Sequence, residues 1–106
     1  MVKLSIIIPA YNEQNTIISL LEKVNKVNIQ GVDKEIIVID DSSTDETLFL
    51  LEERSDLYSK LIKQKINGGK GAAVKAGLLA SKGEYILFQD ADLEYDPNDY
   101  IKILEP

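Results

Sequence analysis

Asp90-Ala91-Asp92 is the sharpest chemical feature of the chain. In an extended segment, side chains at i and i+2 point the same way. Two carboxylates leaving a strand together repel one another unless a cation sits between them. A Mg²⁺ or Mn²⁺ ion fits such a pair and keeps positions open for phosphate oxygens. Glu94 continues the spacing and offers a further oxygen. The plainer alternative is that Asp90 ends a strand and Asp92 caps the next segment. A second cluster, Asn67-Gly-Gly-Lys-Gly71, opens a helix. Its backbone N–H groups and the positive helix end can hold an anion, with Lys70 as a mobile charge. The phosphate-loop signature fails, because Gln64 stands where its first glycine belongs and Gly71 follows the lysine. The dinucleotide signature fails at Val74, which replaces its third glycine. An ordinary glycine turn is the alternative.

Three further groups can take part in a nucleotide site. Asp40-Asp41 closes an apolar run, and an acid there can accept hydrogen bonds from base N–H or ribose hydroxyls. It can equally cap the helix that follows. Tyr11 offers a flat face for stacking or is a half-exposed packing aromatic. Glu13 either accepts from a base or favours the start of a helix.

Composition removes several classes of chemistry. The chain contains no Cys and no His, so disulfides, thiolate or imidazole metal sites and a Ser-His-Asp triad are excluded. A metal here must be a hard cation held by oxygen. The net charge is −6, from 18 acidic and 12 basic residues. Seven of the acids and only Lys102 of the bases lie from Glu84 onward, which leaves Met1 to Gly83 neutral. That sign disfavours nucleic acid as a partner. No apolar run approaches a membrane span of about 20 residues, and the first residues do not read as a signal peptide. A cytoplasmic setting is expected.

These residues need elements to position them. Lys3 to Pro9 is a β-branched run stopped by proline, a strand buried on both faces. Ile17, Leu20, Leu21, Val24 and Val27 recur at helical spacing, which predicts a helix from Asn15 to Val27. Glu35 to Asp40 is a second strand. Ser43 or Thr44 is expected to cap a helix carrying Leu48, Leu51 and Ser55 inward. Lys60 to Lys65 suits an edge strand because of its lysines. Ala72 to Ala80 reads as a small-residue helix and Glu84 to Asp90 as a fourth strand. Asp96-Pro97 starts another helix. Such alternation gives an α/β fold, a parallel sheet with helices on both faces. Its strands end on one rim. Tyr11 to Asn15, Asp40 to Asp45, Asn67 to Lys70 and Asp90 to Asp96 should therefore meet in one cleft.

Four ordered strings, Ser5 to Glu13, Val38 to Thr47, Gly69 to Gly77 and Gly83 to Leu93, resemble the glycosyltransferase family 2 enzymes. The resemblance covers nearly the whole chain and is strongest to polyprenyl-phosphate sugar synthases of the dolichyl-phosphate mannose or glucose type. It implies a Rossmann-like three-layer GT-A fold with strand order 3-2-1-4. It also implies that Pro9, Ala10, Tyr11, Glu13, Ile39 and Asp41 surround the nucleotide, with Lys70 nearby. Asp90, Ala91 and Asp92 would meet the diphosphate, with Asp90 and Asp92 as the catalytic pair. Asp90, Asp92 and Glu94 would hold Mg²⁺ or Mn²⁺. The family often has glycine at Ser42 and Glu46, so Ser42 is expected to strain its turn.

The implied reaction moves a sugar from a UDP- or GDP-sugar to an acceptor, a polyprenyl phosphate, with inversion. It would take place at the cytoplasmic face of a membrane. Family members continue well beyond this length. The chain therefore reads as an amino-terminal fragment, residues 1–106 forming the donor half, with the acceptor half absent and no transfer expected from it alone. Its fourth strand is expected to present an apolar edge that pairs two copies as a homodimer. The rival classes are a nucleotide-binding module without chemistry, a phosphoacceptor receiver domain and a sugar nucleotidyltransferase. The receiver needs its acidic pair after the first strand, where Pro9-Ala10-Tyr11 stands. The nucleotidyltransferase needs a glycine-rich loop at the same place.

Overall fold

Two buried β-branched runs at the centre of the sheet organise everything else. The computed structural model describes residues 1–91; Asp92, Glu94 and the helix expected from Asp96-Pro97 lie outside the described residues. β1 (Val2–Ala10) and β2 (Val32–Asp40) run parallel in register, Val2 beside Val32 and Ala10 beside Asp40. β3 (Lys60–Lys63) adds beyond β2, and β4 (Tyr85–Phe88) lies against β1. The order is β3-β2-β1-β4, all parallel, as the resemblance implies. Among the described residues the helices are α1 (Ile17–Lys26), α2 (Thr47–Glu53) and α3 (Gly69–Ala80), with a 3-10 turn at Ser55–Leu57.

The period-2 alternation of β1 and β2 divides the core. Leu4, Ile6, Ile8, Ile36 and Val38 pack with Ile17, Leu20, Leu21 and Val24 of α1 and Leu51 of α2. Ile7, Ile37 and Ile39 face the other way and pack with Ala73 of α3. Each such aliphatic side chain, fully buried, contributes about 1.5–3 kcal/mol. The α3 layer is thin and close. A Cβ on Gly77 would lie 2.5 Å from Ile7 Cγ2 and 2.9 Å from Ile39 Cδ1, so only glycine lets the helix rest on the sheet there.

Several boundaries differ from the pattern-based expectation. α1 starts at Ile17, not Asn15, because Asn12 to Thr16 form a turn in which Glu13 O accepts from the N–H groups of Thr16 and Ile17 at 3.1 and 2.9 Å. α2 starts at Thr47 and is capped by neither Ser43 nor Thr44. Asp45 Oδ1 accepts the Thr47 N–H at 2.9 Å instead. Ser55 is exposed. The chain tightens after α2, where the Arg54 N–H is shared by Leu50 O and Leu51 O, each at 3.2 Å, and Leu57 takes the inward place. β2 begins earlier, at Val32, β3 stops at Lys63, and α3 begins at Gly69.

Pro9 fixes where the sheet opens. Lys3 and Ile7 turn their carbonyls toward β4, accepting from Glu84 N and Gln89 N at 2.9 and 3.0 Å. Alternate residues of β1 face that side, so Pro9 presents its missing donor beyond Phe88, where pairing with β4 has already ended. The missing N–H costs no ladder bond. Pairing of β1 with β4 ends at this point, which is also the switch in strand order where α/β sheets leave a crevice.

Candidate nucleotide-sugar site

The crevice is an open cleft of about 370 Å³, lined by Pro9, Ala10, Tyr11, Glu13, Asp41, Lys70, Ala73, Asp90 and Ala91. The four polar clusters expected on one rim thus reach a single cavity. Pro9 and Ala10, at the end of β1, are part of its wall. Tyr11, 44% exposed, also lines it.

The loops around it are tied by side chain to backbone. Asn12 adopts φ 52°, a left-handed conformation that asparagine tolerates. In that pose its Oδ1 accepts Thr44 N at 2.8 Å and Asp45 N at 3.3 Å, while its own N–H donates to Ser43 Oγ at 3.0 Å. Glu13 N donates to Thr47 Oγ1 at 2.8 Å, and Glu46 N to Gln14 Oε1 at 3.0 Å. The Thr16 hydroxyl donates to Ala91 O at 2.7 Å, which joins the start of α1 to the segment after β4. Asp45, at the centre of this zipper, has its carboxyl below the ordinary range. Burial raises it, but the hydrogen bonds from Thr47 and Gln14 outweigh that.

Asp41 is 4% exposed, and both its oxygens are engaged. Oδ1 accepts Gly68 N and Oδ2 accepts Gly69 N, each at 3.0 Å. The anion at the start of α3 is therefore the protein's own carboxylate. Gly69 sits at φ 82°, a conformation that suits glycine, and it delivers Lys70 to the cleft. The Lys70 ammonium pairs with Asp90 Oδ1; the two side chains are 65% and 28% exposed. Each carboxylate oxygen retains a second lone pair, so Asp41 remains an acceptor on the cleft side.

Of the residues expected around a nucleotide, Pro9, Ala10, Tyr11, Glu13, Asp41, Lys70, Asp90 and Ala91 line the cleft. Ile39 does not: it is fully buried and packs beneath α3. Asp92 and Glu94 lie outside the described residues, so of the three expected cation ligands only Asp90 can be placed. Among the described residues no three carboxylates gather as a metal centre. The sequence reading missed Ala73, which lines the cleft one helical turn after Lys70, and the tie residues Asn12 and Thr16. Asn12 had a readable signal, an asparagine in a turn directly after a strand end. Ser42 lies at φ 60°, left-handed as its substitution for a frequent glycine suggested.

The glycosyl transferase family 2 model matches residues 5–106, nearly the whole chain. The chain belongs to this family. The dolichyl-phosphate beta-glucosyltransferase of Dictyostelium discoideum is 40% identical over 110 residues, covering 94% of this chain and 34% of that protein. Among solved structures, residues 1–349 of S. aureus TarS in complex with UDP-GlcNAc superpose with a TM-score of 0.80 at 32% identity, over 95% of this chain and 29% of that one. The mannosyltransferase PcManGT from Pyrobaculum calidifontis, in complex with GDP-Man and Mn²⁺, gives a TM-score of 0.76 at 25% identity, over 97% of this chain and 32% of that one. The glycosyl transferase family 2 chain described here spans about a third of the length of the curated relatives it matches.

Proposed function

We propose that residues 1–106 form the donor-binding part of an enzyme that moves a sugar from a nucleoside diphosphate sugar to a polyprenyl phosphate, with inversion. The observation that carries this reading is the meeting of Tyr11, Asp41, Lys70 and Asp90 in one cleft at the switch point of the sheet. Tyr11 stacks on the base, Asp41 accepts from the nucleoside, and Lys70 faces the diphosphate. The solved relatives hold UDP-GlcNAc or GDP-Man with Mn²⁺, and a dolichyl-phosphate glucosyltransferase is a 40% identical relative. These support the donor class and the acceptor class respectively.

A divalent cation, Mg²⁺ or Mn²⁺, fits the donor chemistry present: Asp90 supplies a hard carboxylate oxygen that already carries a cationic partner in Lys70. Asp90, with Asp92 and Glu94, would hold it, and it would supply neutralisation of charge on the leaving diphosphate. Lys70 donates to the same phosphate oxygens. An acceptor phosphate oxygen attacks the anomeric carbon from the face opposite the diphosphate. The bond to the diphosphate oxygen breaks, and its electron pair leaves with that oxygen. A phosphate acceptor is already ionised, so no strong general base is needed.

Thermal shift with UDP, GDP and CDP, with and without Mn²⁺, tests the donor reading, since a ligand of the native state raises the midpoint. One nucleoside diphosphate should raise it more with Mn²⁺ present, and Asp92→Asn should remove the Mn²⁺-dependent part. No shift with any of them refutes the reading.

Two further parts of the proposal concern surroundings. The acceptor class places the protein at the cytoplasmic face of a membrane, although no helix among the described residues is long and apolar enough to cross one. β4 exposes Tyr85 at 55%, Ile86 at 37% and Phe88 at 50%, and we propose that this edge pairs two copies. Sedimentation of a clean monomer at high concentration refutes the homodimer.

A further inference from the structure

We propose that the Lys70–Asp90 ion pair is a latch that couples cation binding to nucleotide binding. The Lys70 ammonium keeps the cation's place on Asp90 until a diphosphate draws it away. The inference rests on the donor-site reading above and adds an order to it.

Both ends of the latch are rooted. Asp41 clamps the N–H groups of Gly68 and Gly69, and Ala73, one turn on, is fully buried against the sheet. On the other side, Gln89 N is bonded to Ile7 O at 3.0 Å, Gln89 Nε2 donates to Asp90 O at 3.2 Å, and Ala91 O accepts from Thr16 at 2.7 Å. The backbone at each end is therefore held, and what can move is the lysine stem. It is also the more exposed partner, 65% against 28% for Asp90.

Electrostatics then sets the coupling. An ion pair this exposed is weak enough to open. A divalent cation approaching Asp90 alone must displace the ammonium or sit beside a like charge. A diphosphate in the cleft attracts the ammonium and leaves the Asp90 oxygen to the cation. Each ligand thus improves the other's affinity, and by linkage the factor is the same in both directions.

Calorimetry on the whole chain tests this with Mn²⁺ alone, UDP alone and both together, and with GDP in a parallel series. Lys70→Met should bind Mn²⁺ alone about tenfold more tightly than wild type and show less mutual tightening between Mn²⁺ and nucleotide. Lys70→Arg should keep that tightening. Lys75→Met removes the same charge from the exposed face of α3 and should change neither. If Lys70→Met binds Mn²⁺ alone no more tightly, or Lys75→Met has the same effect, the latch is refuted while the donor site stands. If wild type shows no Mn²⁺-dependent nucleotide binding in either series, the donor-site reading fails and the latch with it.

Discussion

At the amino end of the sheet Glu35 pairs with Lys60; at the carboxyl end Asp90 pairs with Lys70. The Glu35 carboxylate is buried, 6% exposed, and fully engaged. Oε2 accepts Ser5 Oγ at 2.7 Å and Lys82 N at 2.9 Å, and Oε1 lies 3.4 Å from Lys60 Nζ. Ser5 Oγ in turn accepts Gly83 N at 2.8 Å, and Lys60 also reaches Ala80 O at 2.8 Å. The network therefore fastens the end of α3 and the entry to β4 onto the central strands. The Asp90 pair is open to water and faces a cleft. The same two charges thus serve as a fixed tie in one place and as a movable contact in the other. Burial and the number of satisfied lone pairs decide which.

The largest expected effect breaks the fixed tie. Glu35→Ala leaves the buried Ser5 hydroxyl without its acceptor, a loss of about 1–3 kcal/mol, and also removes the acceptor of the Lys82 N–H. Asp90→Ala removes an exposed pair worth less than about 1 kcal/mol. Urea unfolding of the two variants should show the first midpoint fall well below the second; equal falls would erase the contrast. The pH dependence points the same way. Burial raises the Glu35 carboxyl, but the bonds from Lys82, Ser5 and Lys60 outweigh it and hold the group below its ordinary 4.5. Its contribution is thus fully present above that value and is lost as pH falls through the depressed one. Stability should drop less steeply in acid for Glu35→Gln than for wild type. Asp45, also depressed, accounts for part of the drop that remains.

Gly77→Ala tests what joins the two ends, because α3 carries Lys70 at its start and meets the Glu35 network at its finish. A Cβ there collides with Ile7 and Ile39, and overpacking of this kind costs about 1–3 kcal/mol. If the helix lifts instead of the protein unfolding, nucleotide affinity should fall together with the urea midpoint. A variant with wild-type stability and affinity would show that α3 does not depend on this close approach.

Asp41 separates recognition from scaffolding inside the cleft. Loss of a buried hydrogen-bonding partner costs about 1–3 kcal/mol, so Asp41→Ala should weaken UDP or GDP roughly tenfold. Free pyrophosphate, which lacks the nucleoside, should bind to within about twofold of wild type, because Lys70 reaches it through a flexible stem. Equal losses measured by calorimetry would mean that Asp41 serves only to hold Gly68 and Gly69.

How far the sequence could be read follows from what spacing encodes. The sheet, its order and the rim were legible because β-branched runs at β1 and β2 alternate with helical periods, and polar clusters follow strand ends. Which way a side chain turns once it reaches the rim was not. Asp41 faces the α3 amides as well as the cleft, and Ile39 turns under α3 although its neighbours in sequence bound the site. Period 2 places Ile39 on the same face as Ile37, so the burial of its side chain follows from the pattern. The Asp45–Thr47 bond and the Thr16–Ala91 tie depend on loop paths that no local pattern specifies.

Ser42 gives the smallest expected effect and sharpens the contrast between tied and movable parts of the rim. It holds φ 60°, where an L side chain costs about 1–2 kcal/mol. Glycine removes that strain but gains about 0.5–1 kcal/mol of extra freedom in the unfolded chain. Ser42→Gly should therefore stabilise the protein by less than about 1 kcal/mol. The loop it sits in is already zipped at Asn12–Thr44 and Glu13–Thr47, so the relieved turn should keep its path, and nucleotide affinity should stay unchanged while the urea midpoint rises slightly. A clear loss of affinity with no gain in stability would mean that the Ser42 side chain, and not its backbone conformation, is what this turn contributes to the cleft.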